Sequence, residues 1–288
     1  MIDVNPWTLG LLGLFAGMLG AMLGIGGGIF IVPFLSLLLH IPIQTAIGCS
    51  LVTIVAGSMT AASTYIRDNV TNIKLGLLLE SASIPGAILG ALAVTKISSF
   101  VLSGLFGLLL LYCSFAMINY QRKPKQAVPH KKPVTETGQV EIIQNQWNES
   151  CYFDQEEKTI IRYRFGKIMP AMLISAFTGI LASLLGVGGG IINIPVMNMI
   201  MGVPIKATIA TSSFIIMTTA AVGALVFFQN GLINPFVAAS LIIGAYIGAR
   251  IGARLMQKTK GTLLRSIFAG IMIITAILMF LKAARVIT

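Results

Sequence analysis

Charge is scarce in this chain. Only 10% of its 288 residues are Asp, Glu, Lys or Arg, against about 25% in a soluble domain. A soluble globular protein is therefore excluded. Histidine is scarcer still, with His40 at a turn and His130 in a polar stretch. The three cysteines, Cys49, Cys113 and Cys151, form no CxxC and no zinc spacing, which argues against a disulfide framework or a metal centre. No His-Glu-x-x-His, no Ser/His/Asp set and no Cys/His cluster is present, so neither catalysis nor a cofactor is expected. The first residues, Met1 to Pro6, lack the basic start of a secretory signal, and the first apolar segment is expected to stay in the mature protein.

Apolar residues make up 56% of the sequence. They fall in runs of 18 or more, the length that reads as membrane helix. The composition predicts an all-α polytopic membrane protein in the plasma membrane. The net charge of +11 sits mainly in loops and at helix ends, where it sets orientation, so no nucleic-acid partner is expected.

The apolar segment from Trp7 to Leu39 carries no charge but holds Gly24-Ile25-Gly26-Gly27-Gly28, with Pro33 behind it. Each glycine costs a helix about 1 kcal/mol relative to alanine, so the segment is predicted to break into two half-helices. The next helices are expected at about 43–66, 73–94 and 100–120. Residues 121–167 are polar, with nine basic and six acidic residues. They read as a cytoplasmic linker between a first membrane repeat, 1–120, and a second, 168–288.

Adding 162 to a residue number gives its counterpart. Gly24 meets Gly186, Pro33 meets Pro195, Pro42 meets Pro204 and Ser50 meets Ser212. Between 17 and 53 there are 13 identities in 37 positions without a gap, which implies an internal duplication. Each half would hold a glycine-broken segment followed by three transmembrane helices. Positive charge favours inverted repeats. That arrangement keeps Lys206, Arg250, Arg254, Lys258, Lys260 and Arg265 on the side of the linker and puts both termini outside.

A half-helix that starts after a glycine run aims unpaired N–H groups, and the positive end of its dipole, at whatever fills the gap. An anion is the natural ligand. The expected binding residues are Gly26, Gly27 and Gly28 with Ser50, and Gly188, Gly189 and Gly190 with Asn193, Thr211 and Ser212. The two turns are expected to face a shared hollow near the bilayer midplane. Glu80, an acid inside a span, is a candidate proton carrier. Arg250 is a candidate for attracting the anion, or else anchors its helix end. For Gly86/Gly90 and Gly244/Gly248/Gly252, spaced by four, helix packing is the better reading.

The strings Gly17-Met18-Leu19-Gly20 through Gly28 to Val32-Pro33, and Gly186 to Ile194-Pro195, resemble the TauE/SafE family of sulfite and sulfonate exporters. Ala46 to Leu51 and Thr208 to Ser213 fit the same pattern. The resemblance covers both membrane halves but not the linker, which is longer than the family leads one to expect. It implies transport of sulfur oxyanions such as sulfite or an organic sulfonate, proton-linked, with export favoured. The expected partners are a small anion and the lipid bilayer, with a homodimer as one arrangement open to the chain. Two other readings stand beside it: a carrier of a different small anion or solute, and a non-transporting membrane assembly partner working through its linker.

Overall fold

The structure is a computed structural model. It describes residues 5–105, 107–108, 130–133, 147–156, 158–259, 270 and 273. Six helices among them are long and apolar enough to cross a membrane. The helix expected at 100–120 begins in this set, with 99–105 helical, but most of it lies outside the described residues. So do most of the last predicted helix and Cys113.

The two halves share one element plan. In the first half, α1 is Pro6–Leu23, α2 is Gly28–Pro33, α3 is Ile43–Arg67 and α4 is Ile73–Ala93. In the second, α5 is Ile168–Leu185, α6 is Gly190–Pro195, α7 is Ile205–Gln229 and α8 is Pro235–Lys258. Every start is displaced by 162. Short π-helical turns, Phe34–Leu38 and Val196–Ile200, extend α2 and α6. Local sequence explains the starts. Asn5, Asn72 and Asn234 cap α1, α4 and α8 through their side chains, and Pro6 and Pro235 occupy first positions where the missing N–H costs nothing.

The long helices pair across the halves rather than within them. A Cβ built on Gly13 would lie 2.3 Å from the Leu241 carbonyl oxygen, and one on Gly17 would lie 2.5 Å from that of Ala245. From the other side, Gly244, Gly248 and Gly252 meet the backbone of Gly10, Leu14 and Met18. Numbers rise together, so α1 and α8 run parallel at backbone contact. Gly86 and Gly90 of α4 meet Ala176 and Ile180 of α5 in the same way. These glycines are packing residues, as their spacing predicts. At the centre, Gly48 lies against Phe227 and Gly223 against Leu51, so α3 and α7 run antiparallel.

The linker is not purely irregular. It contributes three strands, β1 His130–Pro133, β2 Glu149–Asp154 and β3 Thr159–Arg164, antiparallel in the order β1-β3-β2. Its charge hid a period of two: Tyr152, Ile161 and Tyr163 are buried while Phe153, Arg162 and Arg164 are exposed. The sheet docks on one end of the bundle. Asn72 Nδ2 donates to the Tyr163 hydroxyl at 3.3 Å, and Gly166 N–H donates to the Met201 carbonyl at 3.3 Å. Burial pushes the Tyr163 phenol above its ordinary range. Lys206, read from sequence as a helix-end charge, is buried and donates to Asp154 Oδ1 at 2.7 Å, Glu156 Oε2 at 3.4 Å and the Gln257 carbonyl at 3.2 Å.

Candidate functional site at the paired glycine turns

Each broken segment is a hairpin. The chain leaves α1 at Gly24 and turns through Gly26 and Gly27, all three with φ between 70° and 84°. In the second half, Gly186, Gly188 and Gly189 repeat this with φ between 69° and 81°. Residues with a Cβ rarely adopt such values. After the turn the chain folds back along the helix it left. A Cβ on Gly27 would be 2.5 Å from the Ala16 carbonyl oxygen, and one on Gly189 would be 3.2 Å from Ala182 Cβ. The two arms of each segment therefore lie side by side rather than in line.

The two turns touch. A Cβ on Gly28 would sit 2.1 Å from the Gly186 carbonyl oxygen, and one on Gly190 would sit 2.2 Å from that of Gly24. The expected hollow between them is therefore absent in this conformation. Ile54 and Ile216, counterparts at the crossing of α3 and α7, close over Gly26 and Gly188; their methyl groups would lie within about 3.1 Å of an added Cβ. Two serines lock the contact reciprocally. Ser50 Oγ donates to the Gly186 carbonyl at 2.8 Å, and Ser212 Oγ donates to the Gly24 carbonyl at 2.8 Å. Each half's serine holds the other half's turn.

The carbonyls at the turns are engaged, but several amides are not. Ile25 and Gly26 donate back to the Gly20 carbonyl, and Val187 to that of Ala182. Beyond these, α2 and α6 begin at Gly28 and Gly190, and the first N–H groups of a helix have no acceptor within it. Asn193 adds to this set. Its side chain is 1% exposed, and neither Nδ2 nor Oδ1 has a hydrogen-bond partner. The Nδ2 lies 3.8 Å from where a Gly189 Cβ would be. A buried amide without partners costs about 1–3 kcal/mol, and natural structures rarely leave one. The counterpart residue, Ile31, packs in an apolar cluster with Leu9, Ala16 and Leu35.

Other predicted residues lie elsewhere. Thr211 is turned toward α4, where its Oγ1 accepts the Asn72 N–H at 3.0 Å; it caps that helix rather than joining the turns. The neighbouring hydroxyls of Thr53, Thr208 and Ser213 bond to carbonyls of their own segments. Glu80 is buried between α4 and α7. Its Oε2 has no hydrogen-bond partner. Arg250 lies in a cleft between α3 and α8, on the face of α8 opposite the glycines that pack on α1. Among the orphan hydroxyls that sequence reasoning missed are Ser83 on α4 and Ser183 on α5. Both are buried, and only their place in apolar helices hinted at them. Among the described residues, no cluster of His, Cys, Asp or Glu could hold a metal.

Comparison with known proteins points one way. The chain is 29% identical over 242 residues to the probable membrane transporter protein YunE of Bacillus subtilis, covering 82% of each. It is 27% identical over 215 residues to a probable membrane transporter protein of Methanocaldococcus jannaschii, covering 73% of this chain and 67% of that one. A shorter match, 36% over 91 residues, links it to the probable membrane transporter protein YdhB of Bacillus subtilis, covering 32% of this chain and 34% of that one. No solved structure matches the chain. The family model for the sulfite exporter TauE/SafE matches residues 9–279, a span that takes in both glycine turns and both serine locks, and the chain belongs to that family of multi-pass membrane transporters.

Proposed function

We propose that this protein is a secondary transporter for small sulfur oxyanions, with sulfite or an organic sulfonate as substrate, moving them outward across the plasma membrane in a proton-linked cycle. One observation carries the reading. The starts of two short helices and an unpartnered Asn193 amide gather at two touching turns. Amide donors without charge can hold an anion and release it, and helix starts of this kind favour negative charge. The conformation described is the closed one. An anion gains the donors when Ile54 and Ile216 draw back and the serine locks part. Glu80, buried with an unpartnered carboxyl oxygen, is the proton carrier of the cycle.

Two further features support inverted repeats. The antiparallel course of α3 and its counterpart α7 is the arrangement expected of halves with opposite orientation in the membrane. Arg67, Lys74, Lys206, Arg250, Arg254 and Lys258 gather at the end that carries the sheet, and basic ends favour the cytoplasm. On that rule the linker is cytoplasmic and the described start of α1 faces outside.

The test is uptake of labelled sulfite into vesicles reconstituted with wild type or Asn193→Leu. Loss of flux in a variant that elutes and melts like wild type is expected. Full flux in Asn193→Leu would remove the amide from the site, and absence of sulfite and sulfonate flux in active wild-type vesicles would remove the substrate class.

A further inference from the structure

One charged feature has no part in the site above. Between the outer faces of α3 and α8 lies an open cleft of about 930 Å³. Its two ends differ in chemistry. Toward the middle of the helices it is walled by apolar side chains, Met59 and Ile243 among them; at the end that carries the sheet it is lined by Arg67, Arg250 and Arg254. All three arginines are exposed, and none forms an ion pair with an acid among the described residues. The only acid in the lining, Asp68, accepts a hydrogen bond from Gln257 Nε2.

Three guanidinium groups at one end of a cleft and apolar side chains such as Met59 and Ile243 at the other suit a ligand with the same gradient. We propose that this cleft is a binding site for an anionic phospholipid, its phosphate held by the arginines and an acyl chain lying along Met59 and Ile243. Arginine presents a planar fork that matches phosphate oxygens. Basic clefts between membrane helices at the cytoplasmic surface attract acidic headgroups. Simple anchoring would leave arginines scattered along the interface, whereas here α3 and α8 converge three on one cleft. A free oxyanion would gain the charges but make no use of the apolar wall. The lipid site does not depend on which solute the protein carries.

The experiment compares thermal unfolding of the full-length protein in a neutral detergent with added phosphatidylglycerol, phosphatidylcholine or inorganic phosphate. Phosphatidylglycerol is expected to raise the unfolding temperature, because a ligand bound only by the folded state stabilises it; the other two are expected to leave it unchanged. The triple variant Arg67→Gln, Arg250→Gln, Arg254→Gln should weaken the response roughly a hundredfold in lipid concentration. A second variant, Ile243→Trp, keeps the charges and fills the wall, and should lose the response as well. In wild type, added salt should weaken it. An equal shift with phosphatidylcholine would overturn the proposal. So would the same shift with inorganic phosphate, which marks a free-anion site, or an undiminished response in the triple variant.

Discussion

The two halves of this molecule match in backbone and differ in chemistry. Counterpart helices α1 and α5 both have 18 residues, α3 and α7 both have 25, and the glycine turns repeat their dihedral angles within a few degrees. Yet the residues suited to chemistry occur once. Asn193 stands where the first half has Ile31, and Glu80 where the second has Ile242. Lys206 answers to Gln44, and Arg250 to Ile88. The duplicated part builds a frame, and only the frame is held by symmetric contacts such as the serine locks. The unpartnered amide, the buried acid and the docking lysine each occur in one half only. The two sides of the transport path need not be chemically alike, and exchanging a residue for its counterpart is the natural probe.

The largest effects should come where the halves agree. Gly27→Leu and Gly189→Leu each force a side chain into positive φ; at Gly27 it also meets the backbone of Ala16. Both variants should lose several kcal/mol of stability, read as loss of folded protein after detergent extraction and of flux. A well-folded, fully active Gly27→Leu beside a dead Gly189→Leu would mean that only the second turn matters.

Next comes Lys206→Gln, which gives the second half the residue of the first. It removes the cation that bridges buried Asp154 and exposed Glu156, and should loosen the sheet from the bundle. Hydrogen exchange in β2 and β3 should rise while the helices stay protected. Unchanged exchange would show that the sheet is held by its other contacts.

Asn193→Ile separates stability from function. Removing an unpartnered buried amide should leave the unfolding temperature unchanged or raise it, by about 1–3 kcal/mol in free energy, while flux falls about tenfold or more. A fall in stability with flux preserved would assign Asn193 to the frame. Glu80→Gln keeps the shape and removes the titration. Flux driven by a proton gradient should fall, while exchange of labelled for unlabelled anion survives.

The smallest effect concerns the docked sheet. The folded state holds the Tyr163 proton more tightly than the unfolded state does. Its contribution is therefore complete below about pH 10 and is lost as pH rises through the raised value. Proteolysis between β2 and β3 should quicken only in strongly alkaline buffer, and less in Tyr163→Phe.

Much of the frame was legible in the sequence. The offset of 162, the glycine breaks and the packing role of glycines spaced by four are local patterns, and local patterns survive in a string of letters. The pairing of α1 with α8 is not local, and nothing at Gly13 or Gly17 says which distant helix will cover it. The hollow expected between the turns failed for a related reason. A glycine that admits a ligand and one that admits another carbonyl look alike until the neighbour is known, and at Gly28 the neighbour is Gly186. Thr211 was misplaced because adjacent hydroxyls on a helix point about 100° apart, so Ser212 reaches the turn while Thr211 faces α4. The strands were hidden by composition, since alternation at Tyr152, Ile161 and Tyr163 is short and sits among charges.

The parallel pairing of α1 with α8 also bears on how the protein is made. A ribosome releases α1 first and α8 more than two hundred residues later, a delay of roughly 10–45 s at ordinary rates of synthesis. During that time the narrow glycine groove of α1 has lipid, or a chaperone of the insertion machinery, as its only cover. The reciprocal serine bonds can close only after both halves are in the bilayer. Assembly is therefore a late, concerted event, and a first half produced alone should be a substrate for membrane quality control rather than a stable half-transporter.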